Sequence, residues 1–129
     1  MNLQNVHNFQ YMGTFYFGQD HQPLKLLLDT GSSWTWVAGE ECTEAKGCPN
    51  SRLKRTESFS THGRPEIVHY AQGSLLGNVA TDQISLDGKE SATVRFLEAK
   101  RASDLSNLFS DGILGLAPRA GRGGVLMIE

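Results

Sequence analysis

Leu26-Leu27-Leu28-Asp29-Thr30-Gly31-Ser32-Ser33 is the stretch of sequence that says most about the fold. An apolar run that ends in a carboxylate predicts a buried strand over Leu24–Leu28 that leads directly into a tight turn. Such a turn presents Asp29 on a floor shielded from bulk water, where hydroxyl and backbone N–H groups hold it ionised. The alternative is an aspartate that opens a turn and caps its own backbone, as Asp-x-Gly sequences commonly do.

The length and composition indicate a single globular domain. The 129 residues are 39% hydrophobic and 20% charged, and the formal net charge is −2. A chain so close to neutrality does not bind nucleic acid through gross positive charge. No apolar run reaches the roughly 20 residues that cross a bilayer, and the polar N-terminus lacks the apolar segment of a secretory signal. We expect one domain over residues 1–129, without a membrane span, that is not a complete precursor.

Apolar residues come in short bursts separated by glycine, Asp-Gly or polar clusters, which predicts an all-β fold. Tyr11, Phe15 and Phe17 give one aromatic face at a period of two. Gly73 is available to supply a positive φ at the tip of a hairpin. The predicted strands and hairpins are Leu24–Leu28, Ile67–Tyr70 with Ser74–Leu76 around Ala71-Gln72-Gly73, Gln83–Leu86 with Ala92–Leu97 around Asp87-Gly88, and Ile113–Leu116.

One segment favours a helix and two favour loops. Ser103 can cap a helical turn over Ser103–Phe109, in which three apolar side chains share a face. Residues 39–66 and 118–124 are predicted loops. The second of these is rich in glycine and arginine, and we expect residues 118–129 to form a mobile tail.

The order of three motifs resembles the N-terminal lobe of the pepsin-like aspartic proteases. The apolar run with Asp29-Thr30-Gly31-Ser32-Ser33, followed by Trp36-Val37, is similar to the first catalytic motif of that family. Tyr70-Ala71-Gln72-Gly73-Ser74 resembles the tip of its active-site flap. Asp111-Gly112-Ile113-Leu114-Gly115-Leu116-Ala117 resembles the strand beside its catalytic loop. The resemblance covers residues 3–118 in the order of the family.

This resemblance implies a fold, an activity and a set of roles. The fold is an all-β lobe of β-barrel-like sheets with a flap hairpin and one short helix. The activity is that of an aspartic endopeptidase acting on polypeptides, without a cofactor or a metal ion, and the indole N–H of Trp36 donates to the hydroxyl of Tyr70. The residues implied for the site are Asp29 as the catalytic carboxylate, Thr30, Gly31 and Ser32 as its loop support, and Tyr70, Gly73 and Trp36 as flap and substrate-binding residues.

The sequence contains one Asp-Thr-Gly, so one copy supplies half of an aspartic protease active site. The reaction needs an ionised carboxylate that takes a proton from water and a protonated one that donates to the peptide carbonyl. The second carboxylate comes from a C-terminal lobe or from a second copy in a homodimer, as in retroviral proteases. The remaining alternative is a non-catalytic fragment that serves as a structural or peptide-binding module. We expect the monomeric chain to be inactive by itself.

The two cysteines, Cys42 and Cys48, have five residues between them. This spacing does not fit a Cys-x-x-Cys redox motif, and no histidine lies near enough in sequence to complete a zinc site. The residues alone leave open a bridge or two free thiols in a reducing compartment. The pepsin-like family has a small disulfide loop at this position, so the resemblance implies a Cys42–Cys48 disulfide and a secreted, lysosomal or vacuolar protein.

Overall fold

The structure, a computed structural model, describes residues 3–6, 10–30, 33–48, 50–70, 73–105 and 110–116. These residues form eight β-strands and one short 3-10 helix, Glu44–Lys46. The strands are β1 (Leu3–Val6), β2 (Gln10–Phe17), β3 (Gln22–Asp29), β4 (Trp36–Ala38), β5 (Ser60–His69), β6 (Ser74–Ser85), β7 (Ser91–Ser103) and β8 (Gly112–Gly115).

Six of the described strands form a closed ring. The order along the sheet is β1-β2-β3-β8-β4-β7-β6-β5, and β2 also pairs with β6 at Tyr16↔Ser85 and Phe17↔Ile84. This additional pairing joins the two ends of the run from β2 to β6, which gives a small barrel with β1 and β5 outside it. The pairs β3–β8 and β4–β7 are parallel, and the others are antiparallel. The predicted all-β, barrel-like architecture is confirmed.

Two apolar clusters pack on the two faces of this sheet. Neighbouring residues of β7 alternate between them, with Phe96 in the first cluster and Leu97 in the second, because successive side chains of a strand point to opposite faces. In the first cluster the rings of Phe17 and Phe96 meet edge to face, with their centroids 5.5 Å apart. The second cluster contains Trp36, Leu97, Ile113 and both cysteines, and Leu27, Trp34, Val68 and Tyr70 pack against it.

Both predicted hairpins are confirmed. β5 and β6 pair as far as His69↔Ser74, and β6 and β7 pair as far as Ser85↔Ser91. In the second hairpin Gly88 has a φ of +77°, in the left-handed region that glycine adopts without steric cost. The expectation that Gly73 supplies a positive φ is wrong. Its Cα instead lies against the backbone of Ser103 and Asp104, where a side chain has no room.

The loop predicted over residues 39–66 is wrong from Ser60 onward, where β5 begins. In the described sheet β5 is an edge strand that pairs with β6, and its register shifts between Thr61 and Pro65. Polar residues and proline are tolerated at an edge because one side of the strand makes no ladder hydrogen bonds. The apolar alternation that identifies inner strands is therefore missing from this one.

The helical turn predicted over Ser103–Phe109 is wrong at its start. Ser103 is the last residue of β7, and Asp104 follows it with a φ of +60°. Ser103 therefore does not cap a helix. Residues 106–109 lie outside the described residues, as does the tail predicted over 118–129.

Candidate active site

Asp29 is the last residue of β3, where the parallel pairing of β3 with β8 ends. Its Cα partner is Gly115, and Leu116 donates its N–H to the carbonyl oxygen of Asp29 at 2.9 Å. Leu27, two residues earlier and therefore on the same face of the strand, packs against the second cluster. The backbone of Asp29 is thus fixed by inner strands of the sheet, and its partly buried side chain belongs to the face that carries Trp36 and Tyr70.

The chain that follows the Asp-Thr-Gly sequence crosses β8 at Gly115, where Ser33 and Trp34 lie against it. A Cβ atom on Gly115 would lie 2.6 Å from the carbonyl oxygen of Trp34 and 2.7 Å from the carbonyl carbon of Ser33, so only glycine allows this approach. Thr30 is exposed, and Gly31 and Ser32 lie outside the described residues. Their predicted support of Asp29 therefore stays a prediction.

Thr35 is a residue of this loop that sequence reasoning missed. It is 4% exposed, and its Oγ1 accepts the N–H of Gly115 at 3.1 Å. The available signal was a hydroxyl residue inside the otherwise apolar run over residues 34–37. A polar side chain buried among such neighbours needs a hydrogen-bond partner, which sequence alone does not identify.

Tyr70 follows β5 at the turn of the β5–β6 hairpin. Its N–H donates to the carbonyl oxygen of Gly73 at 2.6 Å, and the N–H of Gly73 donates back at 3.3 Å. Ala71 and Gln72, between them, lie outside the described residues. The side chain of Tyr70 is partly buried and packs against the second cluster, so the structure brings Tyr70 and Trp36 together on one apolar surface.

Trp36 begins β4 and is 3% exposed. Its indole Nε1 is buried and finds no acceptor among the described residues. The direct hydrogen bond to the Tyr70 hydroxyl that the resemblance implies is therefore not formed in this structure. The two rings still share one cluster, an arrangement that suits the wall of an apolar pocket.

Cys42 and Cys48 form a disulfide, with an S–S distance of 2.05 Å. Cys42 is fully buried and Cys48 is 4% exposed, and both belong to the second cluster together with Trp36. The predicted bridge is confirmed. It ties the loop after β4 to the same cluster that Tyr70 and Leu27 cover.

Asp111 anchors β3 close to the candidate site. Its carboxylate accepts the N–H of Lys25 at 2.8 Å and the N–H of Ser51 at 3.0 Å, and its own N–H donates to the carbonyl oxygen of Lys25 at 2.7 Å. Lys25 lies in β3, four residues before Asp29. The start of β8 and the loop after the disulfide are thereby fixed to the strand that carries the candidate carboxylate.

The described residues contain no group of three histidine, cysteine, aspartate or glutamate side chains placed to hold a metal ion. His21, His62 and His69 are all exposed. Within the same residues, no helix is long and apolar enough to cross a membrane.

The barrel, the Asp-Thr-Gly sequence that begins at the last residue of β3, and the β5–β6 hairpin together define one lobe of a pepsin-like aspartic protease. Comparison with known families agrees with this class. The sequence model of the eukaryotic aspartyl protease family matches residues 10–123. The chain belongs to that family.

Several curated proteins are similar to the chain. It is 33% identical over 121 residues to plasmepsin IV of Plasmodium falciparum. This alignment covers 88% of this chain and 26% of plasmepsin IV. It is 33% identical over 129 residues to cathepsin E of Oryctolagus cuniculus, covering 95% of this chain and 32% of the relative. Vacuolar protease A of Arthroderma otae is 32% identical to it over 118 residues, which are 88% of this chain and 30% of the relative. The chain thus spans between 26% and 32% of the length of these relatives.

Proposed function

We propose that this chain is the N-terminal lobe of an aspartic endopeptidase and that Asp29 is one of its two catalytic carboxylates. The observation that carries the proposal is the position of Asp29. The residue ends β3, its carbonyl oxygen accepts the N–H of Leu116 at 2.9 Å, and its side chain is partly buried. A carboxylate held on a rigid strand keeps one geometry towards a bound water and a substrate.

Hydrolysis uses a water molecule bound between Asp29 and a second carboxylate. Two like charges in close contact do not both ionise cheaply, so the pair shares one proton. The ionised carboxylate takes a proton from the water as its oxygen attacks the peptide carbonyl carbon, while the protonated carboxyl donates to the carbonyl oxygen. This sequence contains one Asp-Thr-Gly, so the second carboxylate belongs to another lobe or to a second copy.

The substrate is a polypeptide that binds in an extended form under the β5–β6 hairpin. Tyr70 packs on the cluster that contains Trp36, and Leu27 and Val68 add apolar surface there. Burial of apolar surface contributes about 25 cal/mol per Å², so this wall favours apolar side chains next to the scissile bond. Gly73 completes the flap side of the site.

The loop after Asp29 supports the ionised carboxylate. We assign this role to the hydroxyls of Thr30 and Ser32 and to the backbone of Gly31. Hydroxyl and N–H donors lower the free energy of the ionised form relative to the protonated form. Glycine allows the backbone to turn tightly beneath the carboxylate.

The protein is secreted or acts in a lysosome or vacuole. The buried Cys42–Cys48 disulfide supports this location, because structural disulfides persist in oxidising compartments. One relative is itself named a vacuolar protease.

Substitution of Asp29→Asn in the intact protein that carries this chain tests the assignment. An amide neither takes a proton from water nor shares the proton of the pair, so turnover of an apolar peptide at acid pH should fall by at least about a thousandfold. The matched control is Asp20→Asn, which changes an exposed aspartate in the turn before β3. Both variants should keep the circular dichroism spectrum and urea midpoint of the parent. An Asp29→Asn variant with near-parental turnover would remove Asp29 from the mechanism.

A further inference from the structure

Thr35 connects the end of the Asp-Thr-Gly loop to the strand that pairs with Asp29. From this connection we infer that Thr35 is a positioning residue, which holds the Asp29 backbone in place through Gly115. The inference rests on the proposed function, because it assigns a role in the orientation of the proposed catalytic carboxylate. It concerns a side chain to which the sequence motifs gave no role.

Thr35 is held on two sides by inner strands of the barrel. Its Oγ1 accepts the N–H of Gly115, 80 residues further along the chain, at 3.1 Å. Its own carbonyl oxygen accepts the N–H of Leu97 in β7 at 2.9 Å. With 4% of its surface exposed, the residue makes these hydrogen bonds away from competing water, where an electrostatic interaction is stronger than in solvent.

Gly115 is the residue through which this bond reaches Asp29. It is the Cα partner of Asp29 in the parallel pair β3–β8, and the residue after it, Leu116, donates its N–H to the carbonyl oxygen of Asp29. The loop over residues 29–35 therefore starts at Asp29, which is paired with Gly115, and ends at Thr35, whose side chain is bonded to Gly115. Both ends of the loop are attached to one point on β8.

The buried N–H of Gly115 needs a hydrogen-bond acceptor, and the side chain of Thr35 provides it. This donor lies in a buried strand, and the hydrogen bond from it to Thr35 is itself buried. Valine has nearly the shape of threonine but cannot accept the bond, so it leaves the N–H without a partner, which costs more than the bond itself contributes. Serine keeps the acceptor and loses only a methyl group. The valine and serine variants therefore separate the hydrogen bond from the packing.

The test uses Thr35→Val and Thr35→Ser, with Thr81→Val as a matched control. Thr81 is also a buried threonine of the same sheet, 7% exposed in β6. Two amide protons are followed by hydrogen exchange in the intact protein: that of Gly115 reports the Thr35 bond, and that of Leu116 reports the bond to Asp29. Exchange rates are referred to the global stability of each variant from urea unfolding. The kcat and KM for an apolar peptide are measured on the same samples.

We expect Thr35→Val to raise exchange at both Gly115 and Leu116 by about tenfold, the loss of one buried hydrogen bond. It should lower kcat by about tenfold, because the carboxylate is less well oriented, while KM changes less than about twofold. Thr35→Ser should keep both exchange rates and kcat within about twofold of the parent values. Thr81→Val should likewise change the exchange rates and kcat by no more than about twofold.

Two results would overturn the inference. One is an unchanged exchange rate at Gly115 in Thr35→Val, which would mean that the hydrogen bond to Thr35 does not protect this amide. The other is faster exchange at Gly115 with unchanged exchange at Leu116, which would confine Thr35 to a local structural bond. If the valine variant does not fold, Thr35→Ala compared with Thr35→Ser makes the same distinction. A parent without turnover would contradict the proposed function, and exchange at Leu116 would still decide whether Thr35 holds Asp29.

Discussion

Arg55 binds Glu98 through two parallel hydrogen bonds, from Nε to Oε2 at 3.0 Å and from Nη2 to Oε1 at 2.5 Å. Glu98 lies in the middle of β7 and is 2% exposed, whereas the side chain of Arg55 is 44% exposed. The guanidinium also lies over the ring of Phe59, 4.6 Å from its centroid. The hydrogen bond to Glu98 raises the pKa of Arg55. A carboxylate can stay inside this sheet because its partner reaches it from the surface.

Substitution of Arg55→Met should therefore destabilise the fold, because it leaves the Glu98 carboxylate buried without a counter-charge. Removing one partner of a fully buried pair costs about 3–5 kcal/mol, and the exposure of Arg55 reduces the expected loss to about 2 kcal/mol. Urea unfolding at neutral pH measures the free energy of unfolding.

The control for this prediction is Arg52→Met, which removes an exposed arginine from the same loop. It should change the free energy of unfolding by less than about 0.5 kcal/mol. The double variant Arg55→Met/Glu98→Met should recover most of the loss, since an apolar pair replaces a buried charge. Equal destabilisation by Arg52→Met and Arg55→Met would show that the pair contributes nothing specific.

The disulfide should also contribute measurably to stability. It closes a small loop, with a sequence separation of 6. The loop-entropy relation gives about 2 kcal/mol for a ring of this size, which the double variant Cys42→Ser/Cys48→Ser should lose. Intact mass before and after reduction should differ by two hydrogens. Two thiols that react with an alkylating reagent in the native, unreduced protein would contradict the prediction.

Asp87 should make the β6–β7 hairpin sensitive to acid. Its Oδ1 accepts the N–H of Lys89 at 2.8 Å and the N–H of Glu90 at 3.1 Å, and these donors lower the pKa of the carboxyl from its ordinary value of 3.8. A carboxyl with a lowered pKa in the folded state contributes stability above its unfolded pKa and loses it as the pH falls through the folded value. The contribution should thus be complete above about pH 4 and be lost progressively as the pH falls from there through the lower pKa of the folded state.

Amide exchange at Lys89 and Glu90 between pH 5 and pH 2, corrected for intrinsic exchange, measures this loss directly. Asp87→Asn keeps a carbonyl acceptor in the turn and does not titrate, so its protection should be flat over that range. The exposed Asp20→Asn change is the control and should leave the acid-dependent loss in place. A parent hairpin with constant protection down to pH 2 would show that the carboxylate does not stabilise the turn.

The parts of the fold that local patterns encode could be predicted from the sequence. The strand ending at Asp29 and the turn at Asp87-Gly88 depend on residues close together in the chain, and both are confirmed. Tyr11 shows where the pattern misleads. It lies on the same period-two face as the buried Phe15 and Phe17, but it is 50% exposed. Its register partner is Asn5 in β1, beyond the part of β2 that pairs with β3.

The contacts that shape the candidate site join residues far apart in the chain. Thr35 bonds Gly115 across 80 residues, and Arg55 bonds Glu98 across 43. Neither partner carries a local signal: one is a backbone N–H, and the other is a glutamate inside a strand. Sequence pattern predicts that a buried polar group has a partner, but only the topology of the sheet identifies it.

The monomeric 129-residue chain should show no aspartic protease activity of its own. The sequence has one Asp-Thr-Gly and so supplies one carboxylate of the two that the reaction needs. Without a facing carboxyl, no group at the site holds the proton that the peptide carbonyl must receive, and the water has a single anchor. The partly buried apolar side chains of Leu27, Trp34 and Tyr70 would face solvent where a partner is missing, which favours self-association.

The possible partners for Asp29 can be distinguished by measuring initial rates at about pH 4 over a range of chain concentrations. The molecular mass is determined in parallel. A site completed by a second copy gives a rate that rises with the square of concentration at low concentration, and Asp29→Asn mixed with the parent suppresses it. A site completed by a second lobe gives no rate at any concentration until that lobe is present. The two cases differ because the second carboxylate comes from a separate copy of the chain in the first case and from a covalently attached lobe in the second. A rate strictly proportional to concentration, from a species confirmed as the monomer, would show that one carboxylate is sufficient and that the half-site argument is wrong.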